Sequence, residues 1–168
     1  MNIYIVGFMG TGKTSVGKEL AKKTKRNFVD LDELIELREK RSIPDIFSKF
    51  GEPHFRKAEK RALKETSREK GFVIGCGGGI VLDRENIRVM RKSGLIVCLT
   101  ATPSAIFKRV SGCSHRPLLN VADQKRQIAH LLKLRAPYYA QADKTINTSR
   151  LSIIAVAAKI RKLIPKNK

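Results

Sequence analysis

Gly7-Phe8-Met9-Gly10-Thr11-Gly12-Lys13-Thr14 is the stretch whose reading decides the fold. It satisfies G-x-x-x-x-G-K-[ST] at every defined position, the pattern of a loop that wraps phosphates in backbone N–H groups. Glycines allow the close approach, a lysine reaches the β- and γ-phosphates, and the final hydroxyl ligates Mg²⁺. The mechanism requires a strand before the loop and a helix after it, and both are present. Asn2 to Val6 is a short β-branched apolar run, while Val16, Leu20 and Ala21 recur at helical spacing. Gly10, Thr11, Gly12, Lys13, Thr14 and Ser15 are therefore the expected phosphate-binding set, and a nucleoside triphosphate such as ATP, with Mg²⁺, is the expected ligand.

The alternation continues outward from this unit. Phe28 and Val29 lead into Asp30-Leu31-Asp32, followed by Leu34, Ile35 and Leu37 at helical spacing. Ile43 to Phe50 and Glu52 to Arg68 read as helices interrupted at Gly51-Glu52-Pro53, and Gly71 to Gly75 as a strand running into Gly77-Gly78-Gly79. Leu95 to Leu99 reads as a strand and the segment from Pro103 or Ser104 to Val110 as a helix. Ser111 to Asn120 reads as a mobile loop and the segment from about Ala122 to Tyr139 as a helix. Lys144 to Thr148 is the last strand, the apolar spacing from Ile153 to Leu163 predicts the last helix, and the tail from Pro165 frays. Strands alternating with helices imply a parallel sheet covered on both faces, since a parallel connection needs a crossover. The expected fold is α/β, a three-layer α/β/α sandwich with about five parallel strands, in one domain spanning 1–168. Ligands of such sheets sit beyond the carboxyl ends of the strands, where the glycine and carboxylate signals fall.

Bulk properties narrow the class without naming a reaction. No apolar run of 18 residues could span a bilayer, and the opening residues run straight into the glycine motif, so a cytoplasmic protein without membrane association is expected. Cys76, Cys98 and Cys113 are an odd number without C-x-x-C spacing, which suits a reducing compartment and free thiols. Cys113 and His115 are too few for a zinc site, and His54 and His130 read as solvated or packing residues. Lys and Arg number 35 against 15 Asp and Glu, a net charge of +20. That excess is open to two readings, a field that attracts anionic ligands or a solvated lysine-rich surface. Few aromatics and no tract of interleaved aromatic and basic residues speak against nucleic acid as partner, and a monomer is the default.

The acceptor of the phosphoryl group must be read from other residues. Asp30 and Asp32, at a strand end, can direct one carboxylate toward the metal's water shell and the other toward an acceptor hydroxyl; either can instead cap the following helix. Five blocks, Gly7 to Thr14, Asp30-Leu31-Asp32, Gly51-Glu52-Pro53-His54-Phe55-Arg56, Gly77-Gly78-Gly79, and Arg116-Pro117-Leu118-Leu119 followed by Arg135, occur in one order over essentially the whole chain. In this the chain resembles the shikimate kinase family. The resemblance implies ATP-dependent phosphorylation of the 3-hydroxyl of shikimate, a step toward chorismate and the aromatic amino acids. It implies Lys13, Asp32 and Arg116 as catalytic residues, with Asp32 beside the reacting hydroxyl. Asp32, Arg56, Gly77, Gly78, Gly79 and Arg135 would bind the acceptor, the two arginines holding its carboxylate, which suits their planar fork. Glu59 would hold Arg56 in place, Thr14 and Asp30 would face Mg²⁺, and Arg109 and Arg150 would pack adenine. The helices of about 31–60 would form the acceptor side, and the segment of about 111–122, with Arg116, a lid. A kinase for another acceptor, such as gluconate or a nucleoside monophosphate, and a nucleic-acid-binding protein are the rival readings.

Overall fold

In the computed structural model, residues 1–111 and 123–165 are described. Five parallel strands, β1 (Asn2–Gly7), β2 (Asn27–Asp30), β3 (Phe72–Gly75), β4 (Gly94–Thr100) and β5 (Lys144–Asn147), form one sheet in the order β2-β3-β1-β4-β5. Seven α-helices are seen among the described residues: α1 (Lys13–Thr24), α2 (Leu31–Glu39), α3 (Ile43–Thr66), α4 (Arg84–Ser93), α5 (Pro103–Val110), α6 (Gln124–Tyr139) and α7 (Ile153–Leu163). The α/β architecture expected from the alternation is the one observed.

β1 shows why the sheet is covered on both faces. Successive strand side chains point to opposite sides. Ile3 and Ile5 enter one core with Val16, Leu20, Val156 and Ile160 of α1 and α7. Tyr4 and Val6 enter the other, with Leu31, Ile46, Leu63 and Ile106 from α2, α3 and α5. All four β1 side chains are fully buried, and each is worth about 2 kcal/mol of apolar transfer. The register, Ile3 opposite Val73 on one side and Leu95 on the other, brings the carboxyl ends of all five strands to one edge.

The interruption expected at Gly51-Glu52-Pro53 is observed: α3 consists of two helical pieces joined across a kink at Gly51 (φ 78°, ψ 171°), just before Pro53. The left-handed φ is available to glycine at no steric cost, and the bend turns the following segment, with Arg56 and Glu59, toward the sheet edge. α4 was not anticipated, although Ile87 and Met90, with Asn86, mark a buried stripe opposite its charged residues; the segment is short and mostly charged, and the sequence reading passed over it. Its start is nonetheless capped, Asp83 Oδ1 accepting from Glu85 N at 2.7 Å. No helix among the described residues is long and apolar enough to cross a membrane.

Candidate active site

The loop after β1 is shaped by its glycines. Gly10 and Gly12 hold φ of 76° and 94°, and a β-carbon at Gly10 would press on Val110 at 2.7 Å. The Thr11 hydroxyl donates to Phe8 O at 2.7 Å and closes the loop. Gly12 caps α1 without a side chain, and the first turn of α1 has no acidic residue. Its N–H groups and partial positive charge therefore face outward, as an anion site requires. Lys13 Nζ donates to Phe8 O at 3.1 Å, which lays the ammonium across the loop.

Asp30, at the end of β2, serves two purposes. Its Oδ1 accepts from Asp32 N at 3.0 Å and caps α2, while its Oδ2 accepts from the Thr14 hydroxyl at 2.8 Å. Capping and contact with the phosphate loop are thus not alternatives. Asp32, in the first turn of α2, points its Oδ1 into a buried space where, among the described residues, no hydrogen-bond partner meets it. Burial foremost, and then the Asp30 charge, raise its carboxyl from an ordinary 3.8 to about 6, against the pull of Lys13 and Arg56.

α3 supplies the facing charges. Arg56 Nη1 donates to Glu59 Oε2 at 2.8 Å, and its Nε and Nη2 donate to Glu52 Oε1 at 3.0 and 2.9 Å. Burial works against the guanidinium charge, but Glu59 and Glu52 outweigh it and hold Arg56 above its ordinary value. Glu59 is fully buried, and its Oε1 has no hydrogen-bond partner among the described residues. Burial pushes its carboxyl up to about 7 although Arg56 pulls it down. The glycine run after β3 fits between these groups. A β-carbon at Gly77 would lie 2.7 Å from Glu59 Oε1 and 2.9 Å from Asp32 Oδ1, and one at Gly79 would lie 2.6 Å from Arg56 Nη1. Only glycine leaves the two unpartnered oxygens and the guanidinium in place.

A cavity of about 1010 Å³ joins these parts. Gly10 to Ser15 and Asp30 line its middle, and Asp32, Arg56, Glu59 and Gly77 to Gly79 line one end. Arg135, from α6, lines it too, its guanidinium 5.9 Å above the Phe8 ring. At the other end Arg109 of α5 donates to Gly10 O (3.2 Å), Thr148 Oγ1 (3.1 Å) and Thr148 O (2.9 Å). Arg150 is exposed in the loop after β5 and is not among the lining residues. Arg116, with Cys113, His115 and the lid expected at 111–122, falls on residues 112–122, outside the described ones, apart from Ser111.

Sequence reasoning missed part of the lining. Leu151, Ile153 and Val156 form an apolar wall beside Arg109, and Ile43, Pro44 and Phe47 a second one near Arg56. Ile153 and Val156 were read only within the apolar spacing of the last helix and Leu151 was not singled out; nothing in that spacing marks which of these residues face the cavity. The neighbouring thiols are inert: burial raises Cys76 well above the thiol range and pushes Cys98 to about 11.

A phosphate loop at the carboxyl edge of a 2-3-1-4-5 parallel sheet, opening onto a compartment with two arginines and a carboxylate, defines the class: a P-loop small-molecule kinase. Comparison with known proteins makes the class particular. The family model described as shikimate kinase matches residues 9–165, and the chain belongs to the shikimate kinase family. It is 47% identical over 161 residues to the shikimate kinase of Thermodesulfovibrio yellowstonii, covering 96% of this chain and 93% of that protein. With the shikimate kinase of Caldanaerobacter subterraneus it shares 46% identity over 159 residues, 95% of this chain and 93% of the relative. Among solved structures, shikimate kinase from Acinetobacter baumannii in complex with shikimate superposes with a TM-score of 0.93 at 37% identity, covering 96% of this chain and 91% of that one. The enzyme from Aquifex aeolicus gives a TM-score of 0.82 at 32% identity, covering 97% and 95%.

Proposed function

We propose that this chain transfers the γ-phosphoryl group of ATP to the 3-hydroxyl of shikimate. The observation that carries the reading is the acceptor end of the cavity. Arg56 and Arg135, from different helices, line the same compartment as Asp32 and open onto the phosphate loop. Two guanidinium groups suit a small carboxylate, and an unpartnered carboxylate oxygen suits a hydroxyl. The solved relative with shikimate bound supports the same acceptor.

The triphosphate lies along the loop from Gly10 to Ser15, its terminal charge met by Lys13. Arg109 and the wall of Leu151, Ile153 and Val156 take the base. Mg²⁺ fits this site on its donor chemistry, since a hydroxyl and a carboxylate oxygen, Thr14 Oγ1 and Asp30 Oδ2, stand together 2.8 Å apart at the head of α1. When bound, the ion neutralises phosphate charge. Arg56 and Arg135 orient the acceptor through its carboxylate, and Asp32 accepts the proton of the attacking hydroxyl. A bond forms from that oxygen to the γ-phosphorus, the bond to the β,γ-bridging oxygen breaks, and ADP leaves. Asp32 is ionised above a pH of about 6, so it is ready as a base at neutral pH.

Coupled measurement of ADP release with shikimate, gluconate, AMP and no acceptor tests the reading. Turnover is expected with shikimate alone; equal turnover with gluconate or AMP overturns the acceptor assignment. We further propose a cytosolic monomer, a compartment in which the buried thiols Cys76 and Cys98 stay reduced.

A further inference from the structure

The three carbonyls of the glycine run are held by partners of two kinds. Gly77 O accepts from Ile80 N at 3.2 Å, and Gly79 O from Leu82 N at 3.0 Å, both inside the short turn that follows. The middle carbonyl, Gly78 O, accepts instead from the Tyr139 hydroxyl at 2.6 Å, across 61 positions of sequence. Tyr139 closes α6 and is only 7% exposed. Burial pushes its phenol up to about 12, against the effect of Arg135, so at neutral pH it is a protonated donor.

The consequence follows from peptide geometry. The C=O and N–H of a trans peptide point in opposite directions, so a hydroxyl that grips Gly78 O turns Gly79 N–H away from Tyr139. Gly79 packs against the Arg56 guanidinium. Among the described residues no hydrogen bond uses the N–H groups of Gly77, Gly78 or Gly79, and all three glycines line the acceptor end of the cavity. A run of three glycines has little rotational restraint of its own. Its two outer carbonyls are tied to the following turn, and only the middle one reports to α6, the helix that also brings Arg135, one turn before Tyr139.

We propose that Tyr139 is a positioning residue for the acceptor, its hydroxyl pinning the Gly78–Gly79 peptide so that free amide donors and the Arg56–Arg135 pair face one ligand. The inference rests on the acceptor reading above. It assigns Tyr139 no contact with the reacting atoms and no part in nucleotide binding.

Tyr139→Phe, which keeps the ring and removes the hydroxyl, tests it with two readouts. In steady-state kinetics, KM for shikimate is expected to rise roughly five- to tenfold, the size of one lost neutral hydrogen bond, with KM for ATP within about twofold of the parent. In ¹⁵N-glycine-labelled protein without ligand, the Gly78 and Gly79 amide signals are expected to shift and broaden. An unchanged KM for shikimate overturns the proposal. So does a parallel rise in both KM values with a fall in thermal stability, which marks Tyr139 as packing alone. Should the parent enzyme fail to phosphorylate shikimate, the acceptor reading fails by itself; the glycine amides then decide the positioning role, and unaltered Gly78 and Gly79 signals overturn it.

Discussion

Asp32→Asn is expected to stabilise the ligand-free protein while removing most of its phosphotransfer. Burial raises the Asp32 carboxyl from 3.8 to about 6, and each pH unit of such a rise corresponds to about 1.4 kcal/mol. Ionised Asp32 therefore costs the native state roughly 3 kcal/mol at pH 8 relative to the unfolded chain. The sign is set by proton binding. Below about pH 4 the group is protonated in the native state and imposes no cost. Between about pH 4 and 6 the native state retains a proton that the unfolded chain has lost, so stability falls as pH rises, and it levels off above that window. Asparagine keeps the neutral form at every pH. In denaturant unfolding at a series of pH values, the variant is expected to exceed the parent by roughly 2–3 kcal/mol at pH 8, with the gap closing toward pH 4. Thermal melts should separate by roughly 5–10 °C at pH 8. Other acids titrate in both proteins and cancel in the difference; Glu59, whose carboxyl the Asp32 charge pushes up, adds a term of the same sign. A gap independent of pH, or a variant less stable than the parent at pH 8, would refute the reasoning.

Activity offers further tests. The kcat/KM for shikimate should fall as pH drops through about 6, because the base must be ionised; a profile flat between pH 5 and 8 would remove Asp32 from that role. Gly79→Ala forces a methyl group against the Arg56 guanidinium. It should weaken shikimate binding by about an order of magnitude or more, while nucleotide binding, read by fluorescence titration, stays within about twofold. Lys13→Ala should cost about 10²–10³ in kcat through loss of charge at the transferring phosphoryl group, and coupled ADP release on protein with an unchanged far-ultraviolet spectrum checks it.

The sequence by itself was enough for the phosphate loop, the parallel α/β architecture and the local placement of Asp30 and Asp32. Each depends on residues a few positions apart, whose relation is dictated by strand pleat, helical turn or glycine backbone freedom. The Arg56–Glu59 pair was legible for the same reason, three residues apart on one helix face. α4 was legible in principle, with Ile87 and Met90 on one side and charged residues on the other, but it is short and mostly charged and was passed over. Other features came into view only with the tertiary structure. They are the unpartnered oxygens of Asp32 and Glu59 either side of Gly77, the apolar wall from Leu151 to Val156 beside Arg109, and the bond from Tyr139 to Gly78. These join segments remote in the chain, and strand order, not hydrophobic period, determines which remote segments meet.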